Sequence, residues 1–385
     1  MQRVIVAPDS FKESLKASQV AKQISAGVKA LYPAAEIVQV PLSDGGEGMT
    51  EALIAAAGGR FIDVPVTGPL GDKIKARYGM LQDGRAAVIE MAAASGLPLV
   101  PRRKRNPLLT TTRGTGELIK AALEAGCQKL IVGIGGSATN DGGAGMAQAL
   151  GVKMLDSRGE DIGPGAKGLL DLKRIDMSKL DPRLNEAEIL VACDVDNPLY
   201  GLNGAAYVYG PQKGASLEMI PLLDRALVNL AQVISQDLQI EVHQVPGAGA
   251  AGGLGAGLIA FAGGKLCSGI QLVFDLLGFE EILAAGADLV ITGEGSINAQ
   301  SLYGKVPVGV ARRAKNYDLP VLALVGQIGP GAEEVYRVGI DAIMTVAPGP
   351  ISLKESMGRA GELITDATIR ALRMIAIGYN YRPRT

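Results

Sequence analysis

Tryptophan is absent from this 385-residue chain, histidine occurs once, and aromatic residues together make up 4%. So few ring faces leave little on which nucleic-acid bases could stack. Charge of one sign is lacking as well: 38 Lys and Arg stand against 39 Asp and Glu, a formal net charge of −1. No basic footprint for nucleic acid is implied. No apolar run approaches the roughly 20 residues that span a bilayer, so no membrane partner is expected. The opening MQRVIVAPDS enters a strand-like run almost at once, which is expected to leave no room for a signal peptide. Cys127, Cys193 and Cys267 are far apart and show no CxxC spacing. They read as reduced thiols of a cytoplasmic protein. The lone histidine, His243, lies in QIEVHQVPG, where a strand and a structural role are expected. It is the single candidate for a Ser-His-Asp triad or a His-rich metal site. Chemistry must then come from carboxylates, lysines, arginines and backbone amides.

What the chain has is glycine, 52 residues of it, and a repeated design. An apolar run ends in a Gly-rich loop and a helical stretch follows. RVIVAPDS, EIVQVPLSDGGEG, KLIVGIGGSATNDGG, ADLVITGEG and PVLALVGQIG all start this way. SQVAKQISAGVKAL is a helix with Val20, Ile24, Val28 and Leu31 on one stripe. Short continuous Val/Ile/Leu strands alternating with helices imply a parallel sheet covered on both faces. The predicted class is α/β, a doubly wound, Rossmann-like parallel sheet domain with a second, inserted α/β domain. Residues 1–60, 93–150 and 285–385 are assigned to the first domain. Residues 61–92, which read as an antiparallel meander, and 151–284 are assigned to the second. One insertion over 66–284 is the alternative.

The candidate chemistry lies where strands give way to loops, the ligand edge of a parallel sheet. In GIGGSATNDGGAGM, Gly135 and Gly136 would let backbone N–H groups approach an anion, with Ser137, Thr139, Asn140 and Asp141 beside them. A helix N-terminus after this loop would suit phosphate; a tight turn packed with glycine is the other reading. PGAGAAGG holds a formal GxGxxG (Gly247, Gly249, Gly252) with Asp275 beyond it, which a dinucleotide site or close helix packing would equally explain. Carboxylates recur among glycines: Asp44 and Glu47 in SDGGEG, Asp194 and Asp196 in CDVDNP, Glu294 in TGEG. Such groups suit Mg²⁺ held together with phosphates, or a base for a hydroxyl nucleophile; capping and turn formation explain any single one. Lys12, Lys213, Lys305 and the run RRKR at 102–105 supply positive charge. Together these features describe phosphoryl transfer to a small anionic molecule, which needs positioning and charge more than covalent chemistry.

APDSFKESL, DGGEG, VTGPLG, IEMAAASGL, TTRGTGELI, GIGGSATNDGGAGM, ACDVDNPL, GPQKGA, PGAGAAGGLGAG and GKVPVGVA occur here in one order from end to end. In these stretches the chain resembles the bacterial type I glycerate kinase family. The resemblance implies phosphorylation of D-glycerate by ATP with Mg²⁺, giving 2-phosphoglycerate, in a cytoplasmic two-domain α/β enzyme whose partners are small molecules. A homo-oligomer remains open. By the matching motifs, Ser10, Lys12, Asp44, Gly45 and Gly46 are expected to contact substrate or phosphate, with Lys12 and Asp44 also candidates for catalysis. Gly135, Gly136, Ser137, Thr139, Asn140 and Asp141 resemble a phosphate cradle, whose anion could instead be the glycerate carboxylate. Asp194 and Glu294 are the expected Mg²⁺ ligands or base, Arg105 the expected carboxylate anchor, and Lys213 a further substrate contact. The departure lies in TGEGSINAQ. The family reads Arg, an apolar residue, Asp, any residue and Gln after TGEG, whereas this chain has Ser296 and Asn298 at the Arg and Asp positions. An amide at 298 is uncharged and nonbasic, so an impaired homologue that binds glycerate or nucleotide is the alternative to an active kinase. Gln327, where a small residue is common, is a further departure.

Overall fold

The computed structural model describes residues 1–46, 48–302 and 304–380. They form two compact units. Met1–Asp44, Glu51–Ala57 and the described residues from Ile270 onward make the first, and Gly45–Thr50 with Gly58–Gly269 make the second. In chain order the strands begin with β1 (Arg3–Val6), β2 (Glu36–Gln39), β3 (Gly59–Thr67), β4 (Lys73–Leu81) and β5 (Ala86–Glu90). They continue with β6 (Lys129–Gly133), β7 (Lys153–Leu155), β8 (Arg174–Asp176), β9 (Glu188–Ala192) and β10 (Lys265–Cys267). The last are β11 (Leu289–Ile297), β12 (Val321–Ile328) and β13 (Ala342–Thr345).

The first unit holds the order β13-β12-β11-β1-β2, with every neighbouring pair parallel. The stretches Val4–Val6, Leu289–Ile291 and Val321–Val325 of its middle strands are aliphatic and buried because both faces are covered. Val4, Val6, Leu289 and Ile291 pack against Val20, Ile24 and Val28 of the helix Ala17–Leu31. Leu363 and Ile364 of the helix Ala360–Asn380 join the same cluster. Val20, Ile24 and Val28 form the stripe that the i, i+4 spacing implies. Because side chains alternate along a strand, a one-residue slip of β1 would turn Val4 and Val6 out of this cluster.

The second unit carries the order β10-β9-β6-β5-β4-β3. β10, β9, β6 and β5 run parallel, while β4 pairs antiparallel with both β5 and β3. The antiparallel pairs fall on the stretch read as a meander. One grouping differs from the sequence reading. Residues 93–150 were placed with the first segment, but their strand β6 pairs with β5 and β9 in the second unit. Both sheets repeat the same apolar run and glycine loop, so the local pattern does not say which sheet a strand joins. Residues 239–245 likewise form no strand. His243 instead stacks on Tyr200, with ring centroids 3.5 Å apart, and burial lowers its pKa.

Candidate functional site

Three adjacent parallel strands of the first unit bring three carboxylates to one edge. Val6 is level with Ile291 on β11 and with Gln39 on β2. The ladder then continues past β1: Ala7 N–H donates to Ile291 O (2.8 Å) and Asp9 N–H to Gly293 O (2.9 Å). On the other side Val40 N–H donates to Val6 O (2.8 Å) and Leu42 N–H to Pro8 O (2.9 Å). This places Asp9, on the middle strand's loop, between Glu294 of β11 and Asp44 of the β2 loop. Asp9 is 7% exposed, and its Oδ1 accepts from Ser10 N–H at 2.6 Å. Burial, reinforced by the negative charge of Asp44, pushes the Asp9 carboxyl up to about 7, with Glu294 adding a smaller push. Ser10 N–H and Lys12 act in the opposite direction. Ser43 Oγ, beside Asp44, is buried and has no partner among the described residues.

Glu294 is more constrained than a lone acid in a glycine loop. Its Oε1 accepts from Ser301 Oγ (2.9 Å) and its Oε2 from Lys305 Nζ (2.8 Å). Lys305 also donates to Ser296 O at 3.2 Å. Both Glu294 oxygens are therefore engaged in holding Lys305 and Ser301. Burial raises its pKa while Lys305 and Ser301 oppose the shift. Nor is TGEG a turn: β11 runs through Ile297, and Glu294 is level with Val325. The glycines serve close approach between strands. A Cβ on Gly293 would lie 2.3 Å from Leu324 O, and one on Gly326 would lie 2.5 Å from Gly295 O. The register also pairs Ser296 with Gln327. Two of the three departures from the family pattern are thus cross-strand neighbours, a small residue opposite a long one. Asn298 ends the strand as a turn former: its Oδ1 accepts from Gln300 N–H (2.9 Å) and its N–H donates to Ser301 Oγ (3.2 Å).

In the second unit the loop after β6 forms an open cradle. Gly136 has φ +73°. Among the described residues, the backbone N–H groups of Gly135, Gly136, Ser137, Thr139 and Asn140 find no acceptor. Thr139 Oγ1 and both Asn140 amide atoms are buried and unpartnered as well. Buried polar groups are rarely left so, and a run of free amides is the chemistry that binds an anion. The helix that follows takes no part. Ala144–Ala149 is a single short turn, and its first N–H groups are already used. Asp141 accepts from Gly143 N–H and Gly145 N–H, both at 3.3 Å, and Met146 N–H donates to Thr112 Oγ1 (3.0 Å). Asp141 Oδ2 also accepts from Thr112 N–H (2.8 Å) and Thr112 Oγ1 (2.9 Å). The geometry thus makes Asp141 the buried brace of the cradle. Burial raises its pKa against those four hydrogen bonds.

Lys213 is likewise inside rather than facing a ligand. It is 1% exposed, and its Nζ donates to Thr139 O at 2.7 Å. Burial lowers its pKa to about 7, with Asp141 pulling the other way. Arg105 folds onto its own neighbourhood: its guanidinium donates to Val100 O (3.5 Å) and Gln212 O (3.4 Å). Asp194 stands at the exposed end of β9, with Oδ1 accepting from Ser268 Oγ (3.1 Å) and Gly269 N–H (2.9 Å). Gly45, at φ +90°, packs so tightly that a Cβ would lie 2.8 Å from Gly269 Cα; Gly46 follows it in the same loop. Ser10 and Lys12 lie in the loop after β1, with Lys12 exposed. Glu47 lies outside the described residues. The GAGAAGG run follows no strand, and its glycines press on backbone: a Cβ would come 2.2 Å from Pro198 O at Gly249 and 2.0 Å from Thr139 O at Gly252. The packing reading holds, and the dinucleotide one does not.

The sequence reading missed two groups. Asp9 sits in APDSFKES beside residues that were singled out, and its position at the end of a central parallel strand was the signal. Thr112 carried no such signal, because its importance comes from Asp141, distant in sequence. A cavity of about 510 Å³ opens elsewhere in the second unit, among Thr67, Arg113, Lys153 and Asp161. None of the expected site residues lines it. Among the described residues, no three His, Cys, Asp or Glu side chains are grouped as a metal cage. Mg²⁺ asks for less, commonly one or two carboxylates with phosphate oxygens and water. Of the two carboxylates expected to serve it, Glu294 has both oxygens engaged, and Asp194 Oδ1 accepts from Ser268 and Gly269.

These features describe an α/β enzyme built to hold and act on anions. The comparisons say which: the glycerate kinase family matches residues 4–376, and the chain belongs to that family. It is 52% identical over 376 residues to the glycerate 2-kinase of Escherichia coli K12, covering 98% of each chain. It is also 52% identical over 360 residues to the glycerate kinase of Bacillus subtilis 168, covering 94% of each. A crystal structure from Salmonella typhimurium LT2, provisionally named glycerate kinase 2, superposes with a TM-score of 0.91 at 48% identity. That match covers 99% of this chain and 100% of the other.

Proposed function

We propose that this chain transfers the γ-phosphoryl group of ATP to the 2-hydroxyl of D-glycerate, giving 2-phosphoglycerate, with Mg²⁺ and in the cytoplasm. The observation that carries the reading is the cradle after β6, whose five N–H groups and buried Thr139 and Asn140 side chains have no partner among the described residues. Such a surface suits phosphate oxygens or the glycerate carboxylate. Mg²⁺, when bound, would neutralise phosphate charge, and Asp194 is the residue that would hold it. Lys12 and Lys305 supply positive charge beside the carboxylates of the first unit. Asp141, Thr112 and Lys213 fix the cradle from beneath. The name of the E. coli relative, a glycerate 2-kinase, favours the 2-hydroxyl.

A coupled assay for ADP release with ATP, Mg²⁺ and D-glycerate tests the reading, and NMR of the product distinguishes the 2-phosphate from the 3-phosphate. Turnover dependent on all three is expected. No release above background would favour the second reading, an impaired homologue that binds glycerate or nucleotide, for which Ser296 and Asn298 are the motive. Asn298→Asp probes that position directly. An Asp can accept the same bond from Gln300 N–H, so the local turn should survive. We expect kcat within about threefold of the parent; a rise on the scale of general-base catalysis, about 100-fold, would assign base or metal duty to residue 298.

A further inference from the structure

We infer that Asp9 accepts the proton of the glycerate hydroxyl during transfer. This rests on the kinase reading above and assigns its base. Asp9 lies in the loop after β1, between β11 and β2, at the edge where parallel sheets place their chemistry. Backbone bonds fix that loop on both sides, through Asp9 N–H to Gly293 O (2.9 Å) and Leu42 N–H to Pro8 O (2.9 Å). Asp9 Oδ1 is held by Ser10 N–H. No hydrogen bond among the described residues reaches Oδ2, which leaves that oxygen to meet a hydroxyl.

The neighbours set its proton affinity. Asp44 on the β2 loop and Glu294 on β11 present negative charge; Lys12 on its own loop opposes them, and Lys305 is tied to Glu294. Burial and the two carboxylates bring the Asp9 carboxyl up to about 7, where a general base works best. Glu294 is a poorer candidate because Ser301 and Lys305 occupy its oxygens. In the step, the glycerate oxygen forms a bond to the γ-phosphorus as its O–H bond breaks, and the proton passes to Asp9. The bond from the γ-phosphorus to the bridging oxygen breaks, and its electron pair leaves with ADP. Asp9 then releases the proton to solvent.

Kinetics of Asp9→Asn against the parent enzyme decide the matter. We expect kcat to fall by about 100- to 10,000-fold, with KM for ATP and glycerate changed by less than about threefold. The parent's kcat/KM should rise with pH through an acid limb near 7, absent from the residual activity of the variant. Asp44→Asn should move the parent's limb to lower pH, because it removes a negative charge that holds the Asp9 proton. Folding has its own readout. The folded parent retains a proton that the unfolded chain gives up above its ordinary carboxyl range, so its stability declines as pH rises from about 4 to 7. Asp9→Asn should lose that decline, whereas a misfolded variant would be less stable throughout. Retention of kcat within threefold by Asp9→Asn would overturn the assignment, as would an acid limb unmoved by Asp44→Asn. A parent enzyme without ADP release would overturn the kinase reading instead.

Discussion

Replacing Asp141 by Ala is expected to destabilise the second unit by about 3–5 kcal/mol, the range for removing one member of a buried charged network. The backbone N–H groups of Gly143 and Gly145, Thr112 N–H and Thr112 Oγ1 all donate to this one carboxylate. An alanine leaves four buried donors without an acceptor, and each unsatisfied group costs about 1–3 kcal/mol before the structure relaxes. Lys213 would lose the charge that opposes its burial, so its pKa should fall further. Thermal denaturation should show a loss on the order of 10 °C. Asp141→Asn, which keeps one acceptor oxygen, should fall between the parent and the alanine variant. A shift under about 1 kcal/mol for Asp141→Ala would mean that the network is not the brace described here.

Gly252→Ala should be comparably severe for a steric reason. The residue has φ +72°, and its added Cβ would lie 2.0 Å from Thr139 O and 2.7 Å from Asn140 Cα. Both contacts are backbone atoms of the cradle, which no side-chain rotation can clear. We expect a loss of at least about 3 kcal/mol, at the upper end for small-to-large substitutions in packed interiors, with a weaker KM for the anionic substrates in whatever enzyme folds. Gly263→Ala is the matched control. It has φ +63° but nothing within 4 Å of the added Cβ, so it should lose only the left-handed backbone preference, about 1 kcal/mol. Equal effects at the two positions would remove the steric argument. Circular dichroism melts and steady-state kinetics on the pair separate the outcomes.

Much of the molecule was legible beforehand. The aliphatic runs identified β1, β6, β11 and β12, and the stripe of Val20, Ile24 and Val28 identified the first long helix and its buried face. The glycine loop after β6 was legible as a candidate cradle; among the described residues its loop amides find no acceptor, while the N–H groups of the following helix are engaged. Roles inside that loop were less legible. Asp141 and Lys213 read as ligand-facing charges, since sequence reports a charge without its depth. Tertiary packing puts both inside, where Thr112 and Thr139 O receive them.

The same contrast holds at the other carboxylates. TGEG has the composition of a turn, and it becomes strand because β12 lies alongside and Gly293 and Gly326 permit the approach. Ser296 and Gln327 looked like unrelated departures until parallel pairing made them neighbours. Composition and motif order were enough to point to the family and the α/β class, because these depend on residue types and local periodicity. Which sheet holds β6, which carboxylate is engaged by a lysine, and which one stands with a raised pKa between two others depend on pairings between residues hundreds of positions apart. Burial and neighbouring charge set the acidity of Asp9, and both come into existence only when β2, β1 and β11 lie side by side.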